Sequence, residues 1–235
     1  MSLVYFILFS SSLRFYRLKM SSTSFFLTLR NLWNMARIGS ATFLTEIAMS
    51  ITILIGNYQF MALLHEEGVA AYAVVCYLFP VIFSVNNAVA QAAQPIISYN
   101  YGAKQKVRVS QTLRVSLLTA ITCGFCVMLT LILGDEWIVE MFLRPNENAY
   151  NIATEGLPWF SACSIFFAIN VAFVGYYQSV ACAGRAMSYT LLRGIVFPVI
   201  AFELLPMVIG TIGLWLAIPV AEAATLLVIV LKKTL

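Results

Sequence analysis

Residues 69–103, VAAYAVVCYLFPVIFSVNNAVAQAAQPIISYNYGA, contain no Asp, Glu, Lys or Arg. Residues 115–133 and 156–184 are equally free of charge. A transmembrane helix needs about 20 mainly apolar residues to cross about 30 Å of hydrocarbon. The whole chain is 61% hydrophobic and 10% charged, which lies outside the composition of soluble globular domains. The sequence therefore predicts an all-α, polytopic membrane protein.

The apolar runs divide into six predicted spanning helices. Each run is continuous rather than alternating, as lipid-spanning helices are and barrel strands are not. Glycines punctuate the runs at Gly102, Gly134, Gly184 and Gly210, where helices commonly end. The predicted spans are residues 38–62, 69–97, 109–133, 152–182, 189–209 and 212–231.

The charges fit this count of crossings. If the first span starts on the cytoplasmic side, 13 of the 14 basic residues fall on that side. The exception is Arg144. Most acidic residues fall in the two longer external loops. This is the positive-inside pattern of a multi-pass plasma-membrane protein, with both termini cytoplasmic. The net charge of +4 then reflects topology, and no nucleic-acid partner is indicated.

The first 37 residues differ from the rest of the chain. Residues 3–9 are apolar but too short to span a membrane, and residues 10–37 are serine-rich and basic. We interpret residues 1–37 as the end of a preceding helix plus a cytoplasmic connector. Residues 38–235 are predicted to form a bundle of six transmembrane helices. The chain is accordingly expected to be part of a larger protein, with another helical lobe before it.

Three carboxylates lie within the predicted spans, at Glu46, Glu203 and Glu222. A carboxylate near the centre of a membrane helix costs about 2.5 to 3.5 kcal/mol, so it is usually paired, protonated or bound to an ion. Arg193 is expected near the cytoplasmic boundary, which leaves no deep basic partner. Glu46 is the strongest candidate for cation coupling, against a structural role, whereas helix packing is favoured for Glu203 and Glu222.

Amides and tyrosines give the helices further polar positions. Thr42, Glu46 and Ser50 recur every four residues, and Asn57 continues their face. Asn87 and Gln91 form a second stripe, which indicates either interhelical hydrogen bonds or a wet cavity. In the fourth span, Tyr177 and Gln178 suit a cavity for organic cations, although core packing is an alternative. The predicted cavity residues are Asn57, Asn87, Gln91, Tyr177 and Gln178.

Nothing in the chain indicates an enzyme or a resident cofactor. The only histidine, His65, is predicted in an external turn, and no acid, base and nucleophile converge. The Cys123 and Cys126 pair lies inside an apolar helix without a nearby histidine or further cysteine pair. This placement favours small packing residues over metal or redox chemistry.

The segment QPIISYNYGA, at residues 94–103, carries a family resemblance. It resembles a signature at the cytoplasmic end of the eighth helix in multidrug and toxic compound extrusion (MATE) transporters. The stretch IGSATFLTEIAMS at 38–50 is similar to the start of that family's seventh helix, and GLWLAIPVAE at 213–222 is similar to its twelfth. The resemblance covers essentially the whole chain and implies the second six-helix lobe of a twelve-helix transporter.

This resemblance implies an antiporter that exports cationic drugs or metabolites in exchange for H⁺ or Na⁺ in the bacterial inner membrane. Glu46 matches the family's acidic residue on the seventh helix. Asn170 stands where some members have an aspartate on the tenth. That departure favours H⁺, since Na⁺ prefers several oxygen ligands. The alternatives are a lipid-linked glycan flippase of the same superfamily, which would need a cationic cavity, and a truncated half-transporter without activity.

Overall fold

The computed structural model describes residues 22–145 and 147–234. These residues form no strand. The helices are α1 (Ser22–Gly102), α2 (Lys106–Leu133), α3 (Asp135–Glu140), α4 (Asn148–Ser161), α5 (Cys163–Ser179), α6 (Ala183–Leu191), α7 (Phe197–Ile209) and α8 (Ile212–Thr234). A π-helical turn, Leu192–Val196, joins α6 to α7. The predicted end of a preceding helix, residues 3–9, lies outside the described residues.

The chain divides into two compact units, Met1–Gly39 and Ser40–Leu235. In the first unit, residues 22–39 are helical, and Leu29, Leu32 and Trp33 are exposed. The second unit contains the rest of α1 and all the other helices, and is called the lobe below. That the basic segment before residue 38 connects two lobes stays a prediction.

Helix α1 is broken at His65, whose backbone has φ 56° and ψ −150°. Without a break, Asn57 and Cys76 would lie about 28 Å apart along a helix axis. The Asn57 Nδ2 atom instead lies 4.0 Å from the Cys76 sulfur. The rings of Phe60 and Tyr72 stack with centroids 4.5 Å apart. The arms at 40–64 and 66–102 therefore form an antiparallel hairpin.

The other spans are interrupted at residues that weaken a helix. Helices α4 and α5 meet at a bend of 43°, next to Pro158, which lacks a backbone donor and disrupts the helical ladder. Helix α7 ends at Gly210, where a positive φ of 67° reverses the chain into α8. Each break follows the local chemistry of proline or glycine.

The lobe has the helix lengths expected of a membrane protein. Four of its helices are long and apolar enough to span, and α4 with α5 gives a fifth candidate as one bent span. The first of the four, residues 46–102, contains the break at His65 and so comprises two arms. Counting those arms separately gives six segments, and the predicted all-α membrane bundle is confirmed.

The largest core cluster combines aliphatic residues with several aromatic side chains. Phe60 contacts Trp215 edge to face, with centroids 5.1 Å apart, and Phe79 contacts Phe167 at 5.4 Å. All four side chains are buried. Large apolar residues also cover the outside of the lobe, where Leu133 and Val208 are about four-fifths exposed. An apolar exterior around an apolar core is the pattern of a lipid-embedded bundle.

Candidate functional site

The π-helical turn Leu192–Val196 places a charged side chain inside the lobe. A π-turn inserts an extra residue per helical turn and often occurs at functional sites. Next to Arg193, Gly194 lies against the first arm of α1, where an added Cβ would collide with Ala48. The Gly194 carbonyl accepts a hydrogen bond of 2.7 Å from the Thr52 hydroxyl. This close approach fixes the turn, and with it the position of Arg193.

Arg193 forms a buried ion pair with Glu222 of α8. The Nη2 atom lies 3.1 Å and the Nε atom 3.2 Å from Glu222 Oε1. The two side chains are 7% and 3% exposed. Glu222 is ten residues into α8, about 15 Å from its start. The pair, called the charge pair below, thus lies in the middle of the lobe.

Helix α5 completes the surroundings of the charge pair. Asn170 Nδ2 donates to Glu222 Oε2 at 2.7 Å and to the Glu222 backbone carbonyl at 2.8 Å. One turn earlier on α5, the Phe167 ring lies 4.2 Å from the Arg193 guanidinium carbon, as in a cation–π contact. The carboxylate therefore has partners on both oxygens, and the guanidinium is fixed between a ring and a carboxylate.

This arrangement corrects the sequence expectation for Arg193. The expectation of a residue at the cytoplasmic boundary, leaving the carboxylates without a deep basic partner, was wrong. Arg193 lies deep because the π-turn directs it inward, and because Glu222, 29 residues later, compensates its charge. A charged residue inside a long apolar run is the signal that could have indicated the pair.

Asn170, predicted to take part in cation coupling, is fully buried beside the charge pair. Its Nδ2 atom is committed to Glu222, whereas its Oδ1 atom has no hydrogen-bond partner. The nearby Thr190 hydroxyl is likewise buried and without a partner. A small cavity of about 20 Å³ is lined by Thr190, Arg193 and Glu222, which is enough room for a single water molecule.

A larger polar cavity opens on the other side of Arg193. Its volume is about 310 Å³. Three predicted cavity residues, Asn87, Gln91 and Gln178, line it together with Gln94 and Arg193. Gln94 Nε2 donates to Gln178 Oε1 at 2.9 Å, which links the second arm of α1 to α5. The polar part of the cavity lining is thus four amides and one guanidinium, and the rest of the lining is apolar.

The other two predicted cavity residues lie elsewhere. Asn57 is in the α1 hairpin, where its amide nitrogen donates to the Ile53 carbonyl at 3.1 Å. Tyr177 is buried in a cluster with Tyr176 and Tyr189, whose ring centroids lie 5.3 and 5.4 Å from its own. Neither residue is among those that line the polar cavity.

Glu46 differs from the other two carboxylates of the predicted spans. Glu203 accepts a 2.8 Å hydrogen bond from Gln59, and Glu222 is paired with Arg193. The Glu46 side chain is exposed on the lobe and has no hydrogen-bond or ion-pair partner among the described residues. Within that part of the chain, no group of three or more His, Cys, Asp or Glu side chains could hold a metal ion.

A lobe of apolar helices with a buried charge pair and an amide-lined cavity defines a polytopic membrane protein. The chain belongs to the MatE family, whose model matches residues 40–202. No curated protein sequence matches the chain.

Solved transporter structures share the fold. An outward-facing multidrug resistance MATE family transporter of the MOP superfamily superposes with a TM-score of 0.78 at 16% identity. A MOP superfamily transporter from Pyrococcus furiosus, described as having reversed polarity of its binding pocket, superposes with a TM-score of 0.77 at 16% identity. In each comparison, 84% of this chain and 44% of the other chain are covered. A Vibrio cholerae MATE transporter, VcmN, superposes with a TM-score of 0.75 at 16% identity. This comparison covers 85% of this chain and 46% of VcmN. The chain spans less than half of these proteins.

Proposed function

We propose that the chain is the cation-exchanging lobe of a secondary antiporter that exports organic cations, including xenobiotic drugs, from the bacterial cytoplasm. The observation that carries the proposal is Glu46, a carboxylate on an apolar helix, exposed on the lobe and without a side-chain partner in the described residues. A carboxylate so placed is available to an organic cation or a proton. MATE family membership supports the transport role.

Exchange follows from competition at one carboxylate. When Glu46 is ionised it attracts an organic cation, and when it is protonated this attraction is lost. Because a ligand shifts an equilibrium only by its differential affinity, proton binding from outside promotes release of the cation there. Alternating access requires one bundle to move against another, so a second lobe is proposed to complete the transporter.

H⁺ is the favoured coupling ion. A Na⁺ site at Asn170 would lie beside the guanidinium of Arg193, which repels cations, and Asn170 is already bonded to Glu222. A protonatable carboxylate needs no cage of oxygen ligands, whereas a hard cation does. The geometry around Asn170 therefore supports proton coupling and gives no support to a sodium site.

The glycan flippase alternative gains a cationic side chain, because Arg193 lines the polar cavity. Glu222 neutralises that charge at 3.1 Å, and the other polar lining residues are amides. A pyrophosphate group would need an excess of positive charge. We therefore favour the antiporter.

Replacing Glu46 with glutamine is expected to lower proton-driven ethidium efflux by about tenfold or more, the scale of an allosteric coupling free energy. Efflux is measured from proteoliposomes that hold the chain together with a second lobe, under an imposed pH gradient and then under a Na⁺ gradient, and the chain alone is measured in parallel. The matched control is Glu203→Gln, which keeps the hydrogen bond from Gln59 and should leave efflux unchanged. Unchanged efflux in Glu46→Gln would overturn the role of Glu46. No efflux from the folded chain under either gradient would show that it does not transport by itself.

A further inference from the structure

The polar cavity has a charge character that cation exchange does not explain. Among the described residues that line it, Arg193 is the only charged one. The other polar lining residues, Asn87, Gln91, Gln94 and Gln178, can donate as well as accept hydrogen bonds. An organic cation would meet a guanidinium there and no carboxylate among the lining residues. We propose that this cavity is a binding site for a small ligand that carries a carboxylate, held by Arg193, and an uncharged polar group held by the amides.

Arg193 retains donors for such a ligand. A guanidinium has five N–H groups in a planar fork that matches a carboxylate. Only Nε and Nη2 contact Glu222, both at Oε1, and Nη1 makes no hydrogen bond within the described residues. The Phe167 ring at 4.2 Å holds the plane of the guanidinium. The ligand carboxylate can therefore bind to Arg193 without a change in the side-chain conformation of Arg193.

The cavity also limits the size and polarity of the ligand. Its volume of about 310 Å³ is at the lower end of the range for ligand pockets, about 300 to 1,000 Å³, which suits a small ligand. Gln94 and Gln178 are bonded to each other, whereas the half-buried Asn87 and the exposed Gln91 are able to bond the ligand. An amide or hydroxyl on the ligand satisfies these groups.

Charge balance implies that the lobe takes up a proton when it binds the ligand carboxylate. Arg193 and Glu222 sum to zero, so a bound carboxylate would leave one net negative charge in an apolar lobe, which is costly. One proton taken up from the solvent by a Glu222 oxygen restores neutrality, and the charge of Arg193 then balances the ligand carboxylate. Facing Glu222 are Arg193 and Asn170, and the buried Cys163 thiol interacts electrostatically with it. Glu222 is the only carboxylate among these four residues, so we assign the proton to Glu222.

The test is binding to the purified chain in lipid nanodiscs, measured by titration calorimetry. Three probes of similar size share an amide and differ in the other end group: succinamate carries a carboxylate, succinamide a neutral amide and γ-aminobutyramide an ammonium. Succinamate is expected to bind about 10- to 100-fold more tightly than the other two, as a charge-assisted hydrogen bond is. Its binding should tighten as the pH falls, and buffers of different ionisation enthalpy should report uptake of about one proton.

Four variants distinguish an effect on ligand binding from an effect on the stability of the lobe. Glu222→Gln frees Arg193, so succinamate should bind about tenfold more tightly and independently of pH. The double variant R193Q/E222Q should lose the preference for succinamate over succinamide. Gln91→Leu tests the amide side of the site without touching the charge pair, and should weaken succinamate by about fivefold. Glu203→Gln, the same chemical change outside the cavity, should bind all three probes as the unchanged chain does.

Two results would overturn the proposal. One is a folded Glu222→Gln variant that binds succinamate no more tightly than the unchanged chain. The other is equal binding of γ-aminobutyramide and succinamate. Since the readout is binding, a failure of ethidium efflux leaves this inference untouched, and the two proposals fail separately.

Discussion

Replacing Arg193 with methionine is expected to lower the unfolding free energy of the lobe by about 3 to 5 kcal/mol, because the Glu222 carboxylate stays buried without its cation. Glu222 is 3% exposed, and its remaining side-chain partner is Asn170. An amide donor does not compensate a full charge in an apolar interior. The change is measured by unfolding in mixed micelles, followed by tryptophan fluorescence.

The double variant R193M/E222M distinguishes loss of charge compensation from loss of packing. A buried ion pair replaced by apolar residues of similar volume is commonly neutral or stabilising. Asn170 keeps its hydrogen bond to the Glu222 backbone carbonyl in this variant. We therefore expect the double variant to recover most of the stability lost by Arg193→Met. If the double variant is as unstable as the single one, packing rather than charge explains the loss.

Replacing Gly213 with alanine is the second change with a large expected effect. A Cβ on Gly213 would lie 2.5 Å from both the carbonyl carbon and oxygen of Leu205, and 2.7 Å from the Pro206 nitrogen. These are backbone atoms of α7, so no side-chain rotation relieves the overlap. Inserting a methyl group into a close-packed contact costs about 1 to 3 kcal/mol. The α7 and α8 helices must separate, and the unfolding midpoint should fall accordingly.

Gly184→Ala provides the matched control for this prediction. Gly184 lies in α6, and an added Cβ there meets no atom within 4 Å. Alanine favours the helix over glycine by about 1 kcal/mol, so the control should be neutral or slightly stabilising. Equal midpoints for the two variants would contradict the close approach of α7 and α8.

The apolar segments could be predicted from sequence because lipid imposes a length and a composition on each helix. The interruptions within these helices were harder to predict from the sequence. The predicted span 189–209 lies within one continuous span, Ala183–Ile209, but the sequence did not indicate the π-turn inside it. Residues 152–182 were expected to be continuous, yet α4 and α5 meet at 43° near Pro158. The π-turn depends on packing against Ala48 and Thr52, which periodicity cannot report.

The polar cavity was partly predictable for a similar reason. Asn87 and Gln91 share a helix face, and that face does line the cavity, with Gln178 opposite. Asn57 was selected because it continues the helix face of Glu46 and Ser50, and Tyr177 because an aromatic ring suits an organic cation. Their neighbours in other helices determine where they lie. Arg193 was missed because its partner is on a different helix, and single-sequence patterns do not show which helix faces meet. Helix existence is thus a local property, whereas site composition depends on tertiary packing.

The charge pair has a consequence for how the lobe responds to membrane voltage. Moving one elementary charge through the whole potential involves about 2.3 kcal/mol per 100 mV. Arg193 and Glu222 carry opposite charges 3.1 Å apart, so a rigid movement that carries both performs almost no electrical work. Protonation of Glu222 without a bound carboxylate alters this, since the lobe then moves one net positive charge. A single proton at this carboxylate would therefore convert an electrically silent rearrangement into a voltage-driven one.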